Sequence, residues 1–463
     1  MSKSSTTETR QTPKELGTEK IGRLLMQYAV PAVISMLAAS VYNIVDRIFI
    51  GQGVGALAIA GLAVTFPIIN LGAAFGAMIG AGGSTLLSIK LGQRDYATAE
   101  RVLGNVVSLN VIIGLLFSII TIAFIDPILL FFGASENTIE YARDYMLIIL
   151  YGNIINHLNH GLCNVQRVTG HPNLAMLATI LGVVTNVVLD PVFIYDWGLG
   201  LGIEGAAIAT VLSQLISTLW IIYKLSDKRD LIHLHRGIYG LRKRIVKNIF
   251  AIGISPFCMQ LCACMVVILI NRGLKEHGGD LAIGAYGIVN GFTFMFVMVA
   301  MGICQGMQPI AGYNYGAQQF DRVIEVLKQA ICMATIVMTA SFLIFEFIPE
   351  VPIRLMTRDP ELTRLAKEGM RLIVLVNPLV GFQIVTGNFF QSIGMPKKSI
   401  ILSVSRQLVF LIPFLLIFPH FFGTAGVWLS IAASDLISVV TAAVMLWLFF
   451  RHGGINKRNS LTD

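Results

Sequence analysis

Twelve long runs of apolar residues alternate with shorter polar segments along the chain. A bilayer core about 30 Å thick requires about 20 apolar residues in a helix, so each run predicts one transmembrane helix. Membrane β-barrel strands would be only about ten residues long, with strict alternation of polar and apolar positions. The predicted class is therefore an all-α polytopic membrane protein, with spans at residues 24–50, 63–89, 102–125, 144–167, 173–195, 203–224, 248–271, 281–308, 326–348, 369–391, 398–418 and 425–449.

The composition excludes an ordinary soluble domain. Of the 463 residues, 55% are hydrophobic and only 13% are charged, whereas a soluble domain carries about 25% charged residues. Residues 1–23 contain no short apolar core followed by a small-residue cleavage site, so we predict no removable signal peptide.

The excess of positive charge is explained by orientation in a membrane. The net charge of +8 would also suit a nucleic-acid ligand. However, most of the 34 Lys and Arg residues, Arg406 among them, fall in alternate polar segments on the side of the N-terminus. Such a bias marks the cytoplasmic side of a membrane protein. We therefore predict that both termini are cytoplasmic and that nucleic acid is not a partner.

The chain contains an internal repeat. Gly92 and Gly316 are 224 residues apart, as are Gly170 and Gly394, and similar pairs follow in the same order. Each repeat holds six spans, so both enter the membrane in the same direction, and a pseudo-two-fold axis along the membrane normal is expected. Two such bundles around a cleft are typical of transporters that work by alternating access. The predicted parts are a cytoplasmic N-terminal tail (1–23), an N-lobe (24–224), a cytoplasmic connector (225–247), a C-lobe (248–449) and a cytoplasmic C-terminal tail (450–463).

The connector is strongly basic. Its apolar positions Leu241, Ile245, Val246 and Ile249 recur at helical spacing, which predicts a short helix on the inner leaflet with its basic face toward lipid headgroups. A solvated basic loop that enforces the topology is an equal alternative.

One acidic residue, Asp46, lies inside the first span. A carboxylate at that depth costs on the order of 3 kcal/mol, so it is expected to face the bundle interior or a water-filled cavity. There it could exchange a proton or hold a cation. The alternative is a structural pair with Arg47, although adjacent helical residues point about 100° apart.

A second acid, Asp190, lies in the fifth span with Asn186 one turn earlier on the same helix face. Pro191 interrupts the backbone hydrogen bonds beside this pair, so a bent helix with an ion site is predicted. The alternative is that Asp190 and Pro191 mark the outer end of the span. Thr210 in the sixth span could add a hydroxyl group.

The acids are expected in the first half alone. In the repeat, Asn271 stands in the place of Asp46, and Ile412 or a neighbour stands in the place of Asp190. The sequence therefore predicts that ion chemistry is confined to the N-lobe.

No resident metal or cofactor is predicted. Cys258, Cys262 and Cys264 lie in one span, where small, weakly polar residues suit packing between helices. His157 and His160 share a helix face, but no third ligand accompanies them. The scattered His and Cys residues do not supply the convergent groups of a membrane-embedded enzyme.

Taken together, these residues resemble the multidrug and toxic compound extrusion (MATE) family, particularly its DinF/MepA-like bacterial branch. The resemblance covers nearly the whole chain. It rests on the segment from Pro31 to Gly51, which contains Asp46, on the loops Lys90-Leu-Gly-Gln-Arg-Asp and Asn314-Tyr-Gly-Ala-Gln-Gln, on Arg167-x-x-Gly170-x-Pro172 and on Asn186-x-x-x-Asp190-Pro191.

The resemblance implies a V-shaped pair of six-helix lobes in the bacterial cytoplasmic (inner) membrane. It also implies efflux of small-molecule drugs, often lipophilic organic cations, in exchange for inward H⁺ or Na⁺. We expect a multi-pass monomer in the lipid bilayer, with H⁺ as the first choice of coupling ion and no cofactor. The family's polar network corresponds here to Asp46, Asn186, Asp190 and Thr210, with Asn159, Asn164 and Arg47 as further candidates. A flippase for lipid-linked saccharides and a membrane-embedded enzyme remain as alternatives.

Overall fold

The structure, a computed structural model, describes residues 15–451, without the side chains of Ala56 and Asp280. The predicted tails therefore lie largely outside the described residues. Sixteen helices follow one another within this range: α1 Glu15–Thr18, α2 Ile21–Gly53, α3 Ala56–Gly92, α4 Tyr96–Ala123, α5 Ile125–Phe131, α6 Ile139–Val168, α7 Pro172–Ile194, α8 Gly202–Leu225, α9 Lys243–Gly279, α10 Leu281–Gly316, α11 Phe320–Phe347, α12 Glu350–Met356, α13 Pro360–Val374, α14 Asn377–Ser392, α15 Pro396–Phe422 and α16 Thr424–Arg451.

Each predicted span corresponds to a long helix or to a broken pair of helices. In the described residues, ten helices are long and apolar enough to cross a membrane, and α13 and α14 form an eleventh span with a bend of 55°. The remaining span is α6, which has 30 residues but a more polar composition. Its side chains include Asn153 and Asn159, which hydrogen-bond to the Gly114 carbonyl of α4 and to Ser217 of α8, and such partners stabilise a polar helix inside a bundle. The fold class is confirmed as two six-helix lobes, α2–α8 and α9–α16.

The repeat is visible in the backbone as well as in the sequence. Arg94 and Gln318, 224 residues apart, are the two non-glycine residues with positive φ in the described chain, at 60° and 59°. Gly170 and Gly394 also share positive φ, which a residue with a Cβ adopts only at a cost. The duplicated turns after α3 and α10 and after α6 and α14 therefore have the same local geometry.

The lobes touch each other mainly toward one end of the bundle, which we call the connector end because residues 226–242 lie there. Ser88 Oγ donates to the Pro309 carbonyl at 3.1 Å, and Gln308 Nε2 donates to Ser84 Oγ at 3.0 Å. Farther along α3, Gln260 Nε2 donates to Asn70 Oδ1 at 3.1 Å. Between Asn70 and the start of α3, the described residues form no hydrogen bond to the second lobe, so the lobes are joined at the connector end.

Glycines allow the closest approach between the lobes. A Cβ at Gly82 of α3 would collide with the backbone of Ile249 in α9. The repeat places the same contact on the other side, where a Cβ at Gly306 of α10 would collide with the backbone of Ala29 in α2. Both crossings therefore require glycine, as is common where membrane helices pack tightly.

The connector does not form the separate amphipathic helix that was predicted, so that prediction is wrong. Residues 226–242 are irregular, and the helix that begins at Lys243 continues directly into α9. Ile245 and Ile249 are buried in the core of the N-lobe instead of lying on lipid. The irregular segment is fixed to α4, since Ser108 Oγ donates to the Tyr239 carbonyl at 2.7 Å and Asn105 Oδ1 accepts from Arg242 N at 2.9 Å.

The entry to the first lobe is fixed in a reciprocal way. The short helix α1 docks on the second lobe, where Arg322 Nη2 donates to the carbonyls of Leu16 and Glu19 at 3.1 and 2.7 Å. Asn314 Nδ2 adds a bond to the Leu16 carbonyl at 2.9 Å, and the Leu16 side chain is fully buried. Each lobe thus holds the segment that leads into the other.

Candidate functional site

Four of the predicted site residues meet inside the N-lobe. Asp46 comes from α2, Asn186 and Asp190 from α7, and Thr210 from α8. All four are buried, and Asp190 has no exposed surface. Asn186 and Asp190 are one helical turn apart, so both point toward the same side of α7, where α2 and α8 pack against it.

Hydrogen bonds connect three of the four side chains. Asn186 Nδ2 donates to Asp190 Oδ1 at 3.1 Å and lies 3.4 Å from Thr210 Oγ1. The carboxyl groups of Asp46 and Asp190 are close enough to interact electrostatically. Two neighbouring carboxylates repel each other when both are ionised, and a proton on one of them removes that repulsion.

Three oxygens of this cluster accept no hydrogen bond from any donor in the described part of the chain. They are Asp46 Oδ1, Asn186 Oδ1 and Asp190 Oδ2, and all are buried. A buried acceptor without a partner costs about 1–3 kcal/mol, and two neighbouring carboxylates also repel each other. A proton or a small cation relieves both penalties, so the arrangement can take up either one.

Two tyrosines that were not predicted from the sequence complete the cluster. The side chains of Tyr42 and Tyr145 both approach the hydroxyl group of Thr210. Tyr42 lies one turn before Asp46 on α2, and that i, i+4 spacing was the available signal. Tyr145 comes from α6, and nothing in its local sequence indicates that it reaches α8.

An apolar layer separates the cluster from the ends of α2 and α7 that lie away from the connector. Ile50 lies one turn after Asp46, and Ile194 lies one turn after Asp190. Both are buried and belong to one hydrophobic cluster with Ile203 of α8. Apolar side chains therefore cover the acids on this side of the lobe.

The comparisons with known proteins identify the family. The MatE family model matches residues 31–192 and 253–417, one segment in each lobe. The chain belongs to the MatE family. This is a family of transporters, the MATE proteins, and not of enzymes. The resemblance stated from the sequence is thereby confirmed.

Similar proteins cover nearly the whole chain. The multidrug export protein MepA of Staphylococcus haemolyticus (strain JCSC1435) is 26% identical over 92% of this chain and 93% of its own length. MepA of Staphylococcus aureus (strain MSSA476) is 24% identical over the same shares. A solved structure described as "MATE in the bent conformation" has a TM-score of 0.90, 26% identity, and coverage of 97% of this chain and 99% of the other. An outward-facing MATE family transporter of the MOP superfamily has a TM-score of 0.88 at 26% identity, covering 99% and 100%.

In this MATE transporter, Arg47 is not the partner of Asp46. Its guanidinium lies over the ring of Phe66, 5.8 Å from the centroid, and it forms no ion pair in the described chain. The alternative interpretation of Asp46 as half of a local ion pair is therefore wrong. Asp190 does lie one turn before the end of α7, as its alternative predicted, but it is completely buried.

Asn159 and Asn164 lie apart from the acid pair. Asn159 Nδ2 donates to Ser217 Oγ and Thr218 Oγ1 at 2.8 and 3.2 Å. Those partners are seven and eight residues beyond Thr210 on α8, or about 10–12 Å along the helix. Asn164 bonds to Arg167 near the end of α6 at 2.8 Å. The structure therefore does not place either asparagine in the hydrogen-bonded cluster.

The His and Cys candidates show no metal site. Within residues 15–451, no group of three or more His, Cys, Asp or Glu side chains is arranged to hold a metal ion. His157 is buried in α6, and neither of its ring nitrogens has a partner among the described groups. The six cysteines are all free thiols.

The C-lobe contains an ion pair that was not predicted from the sequence. Arg406 lies ten residues into α15, about 15 Å along the helix, in a π-helical stretch, Ser405–Leu411. Its Nε donates to Asp435 Oδ1 of α16 at 2.6 Å, and the two side chains are 30% and 7% exposed. The assignment of Arg406 to the inner polar segments is wrong. Asp435 is a buried acid of the second half, but in the repeat it stands at the position of neither Asp46 nor Asp190.

Proposed function

We propose that this protein is a multidrug efflux antiporter that exports lipophilic, often cationic, compounds in exchange for inward H⁺. The names of the MepA relatives support the multidrug substrate class. The coupling part of the proposal rests on one observation, the three buried oxygens of Asp46, Asn186 and Asp190 that lack donors. A site with unsatisfied acceptors next to paired acids gains free energy by binding a proton or cation, and loses it on release.

The coupling step follows from the position of the acids between three helices. Protonation of the pair removes the repulsion between Asp46 and Asp190 and allows α2 and α7 to pack more closely. Deprotonation favours separation, or entry of a cation in place of the proton. α2 also contains Pro31, whose missing N–H weakens the helix where it can bend. Ion binding in the N-lobe would thereby shift α2, the helix that faces the cleft, between a straighter and a more bent form.

Alternating access is part of the same proposal. The lobes are joined at the connector end by Gln308, Ser88 and the glycine crossings, which fits a state open toward the other side. We further propose that the protein acts as a monomer in a bacterial cytoplasmic membrane, with both termini in the cytoplasm. Na⁺ is the alternative coupling ion, because the same oxygens are ligands that a hard cation prefers.

The flippase alternative finds no support in the cations at membrane depth, where Arg47 and Arg272 do not converge. Arg272 is engaged at the outer end of α9 with Glu276, at 2.9 Å, and Arg47 lies over Phe66. A pyrophosphate ligand needs several converging cations. Charge reversal at Arg47 and Arg272 should leave drug export intact, and loss of all export in both variants would favour the flippase.

The central experiment is substrate efflux from proteoliposomes with an imposed pH gradient or an imposed Na⁺ gradient, applied separately. We expect the pH gradient to drive export, with at least a tenfold loss in both Asp46→Asn and Asp190→Asn. Asp126→Asn is the matched control, since Asp126 also precedes a proline but forms an exposed ion pair with Arg143. Export under the Na⁺ gradient alone would identify Na⁺ as the coupling ion instead of H⁺. No export under either gradient would refute antiport. Full activity of both acid variants would refute the assigned site.

A further inference from the structure

A basic cavity lies at the connector end of the N-lobe, away from the acid pair. Its volume is about 230 Å³, and it opens between the start of α4, the end of α3 and the start of α9. Its lining includes four cationic side chains, Lys90, Arg101, Arg242 and Arg244, and one acid, Asp95. This volume accommodates a phosphate group together with part of the molecule that carries it.

The charges around the cavity are not balanced by the chain itself. Asp95 is 3.8 Å from Lys90, and its Oδ1 also accepts the Thr98 N–H at the start of α4. The other three cations, Arg101, Arg242 and Arg244, form no ion pair in the described chain. Three guanidinium groups around one cavity repel each other, and a multiply charged anion relieves that repulsion.

In the second lobe, a side chain of the protein itself occupies the equivalent place. The repeat offset of 224 residues places Arg322 at the position of Thr98 and Asn314 at that of Lys90. Arg322 fills its position with its own side chain, donating to Asn314 Oδ1 at 2.9 Å and to the Leu16 carbonyl at 3.1 Å. In the N-lobe the short side chain of Thr98 leaves the space open, and cations surround it.

The arginines suit phosphate better than a simple halide or carboxylate ion. A guanidinium presents a planar fork of donors that matches two phosphate oxygens. Arg101 comes from α4, whereas Arg242 and Arg244 come from the start of α9, so one phosphate can be held from two helices. The first N–H groups of α9 point toward the same end and add donors for an anion.

We propose that this cavity binds one phosphate group of an anionic ligand and thereby joins α4 to the first helix of the second lobe. The chemistry suits two sources. One is the headgroup of an anionic phospholipid in the adjoining leaflet, and the other is a free phosphate or phosphomonoester in solution.

The test measures binding to the purified full-length protein by native mass spectrometry, after exchange into a zwitterionic phosphatidylcholine environment. One arm adds phosphatidylglycerol, and the other adds inorganic phosphate. The variant Arg101→Gln/Arg242→Gln/Arg244→Gln removes the fork donors. The matched control Lys228→Gln/Arg229→Gln/Arg236→Gln removes three exposed charges from the adjoining segment outside the cavity.

We expect one ligand per chain and at least a tenfold weaker affinity in the cavity variant, with less than a twofold change in the control. Saturable binding in the phosphatidylglycerol arm alone identifies the lipid source, and binding in the phosphate arm identifies the soluble source. Equal weakening in both triple variants, or no saturable binding in either arm, would overturn the proposal.

A further variant separates the cavity from general surface charge and remains informative if the triple variant does not fold. Thr98→Arg copies the second lobe and fills the cavity while it adds one positive charge. A ligand bound within the cavity should be displaced, with weaker binding than in the unmodified protein. Tighter binding in Thr98→Arg would show that surface charge alone attracts the anion, and the proposal would then be wrong.

Discussion

The ion pair between Arg406 and Asp435 provides a quantitative prediction about stability. Replacing Asp435 with leucine leaves the guanidinium without its partner at a depth of about 15 Å along α15. Removal of one partner from a buried ion pair costs about 3–5 kcal/mol. Because Arg406 keeps 30% of its side-chain surface exposed, we expect Asp435→Leu to lower the free energy of unfolding by the smaller of these values, about 3 kcal/mol.

A double variant distinguishes the cost of an unpaired charge from the value of the pair itself. In Arg406→Met/Asp435→Leu neither charge remains, and packing of apolar side chains replaces the pair with little or no loss. We therefore expect the double variant to recover most of the 3 kcal/mol that Asp435→Leu loses. A double-mutant cycle then gives a large interaction free energy between the two positions.

The assay is equilibrium unfolding in mixed micelles, with each variant compared with the unmodified protein. The control is Glu276→Leu, which breaks the pair with Arg272. In this pair the side chain of Arg272 is 75% exposed and that of Glu276 is 53% exposed. That change should cost less than about 1 kcal/mol. If Asp435→Leu costs no more than Glu276→Leu, the C-lobe pair is solvated and the reasoning from its burial fails.

Two further predictions concern the lobe contact and the polar cluster. Gly82→Val should destabilise the protein by about 1–3 kcal/mol, because its side chain meets the backbone of Ile249. Gly287→Val should cause little change in thermal unfolding, since a Cβ there has no neighbour within 4 Å, and equal costs would contradict the close crossing. Asn186→Ala should reduce proton-driven efflux at least tenfold, whereas Asn159→Ala should keep more than half of it. A comparable loss in both would place Asn159 in the functional cluster after all.

The spans and the two lobes could be predicted because both depend on local or repeated patterns. A bilayer selects long apolar runs, and a duplicated chain repeats its turn residues, as Arg94 and Gln318 do in their backbone conformation. The break between α13 and α14 was not predicted, because the apolar run from residue 369 continues through it. Composition alone does not reveal such a bend.

The acid cluster could be predicted only in part. The i, i+4 spacing of Asn186 and Asp190 fixes a shared helix face, and a buried acid in α2 requires a partner. Contacts that depend on the rotation of one helix against another are not contained in such spacings. For that reason Tyr145 was missed, the placement of Asn159 beside the acids was not reproduced, and the pairing of Arg406 with Asp435 was overlooked.

The reciprocal docking of the two entry segments has a consequence for synthesis. The carbonyl of Leu16 is held by Arg322, 306 residues later in the chain. At about 5–20 residues per second, roughly 15–60 seconds separate the translation of these two groups. Throughout that interval α1 has no docking surface, while its own six-span lobe can already be inserted. Helix α1 is therefore among the last described parts of the chain to reach its final position, and the first lobe must remain stable in the bilayer without it.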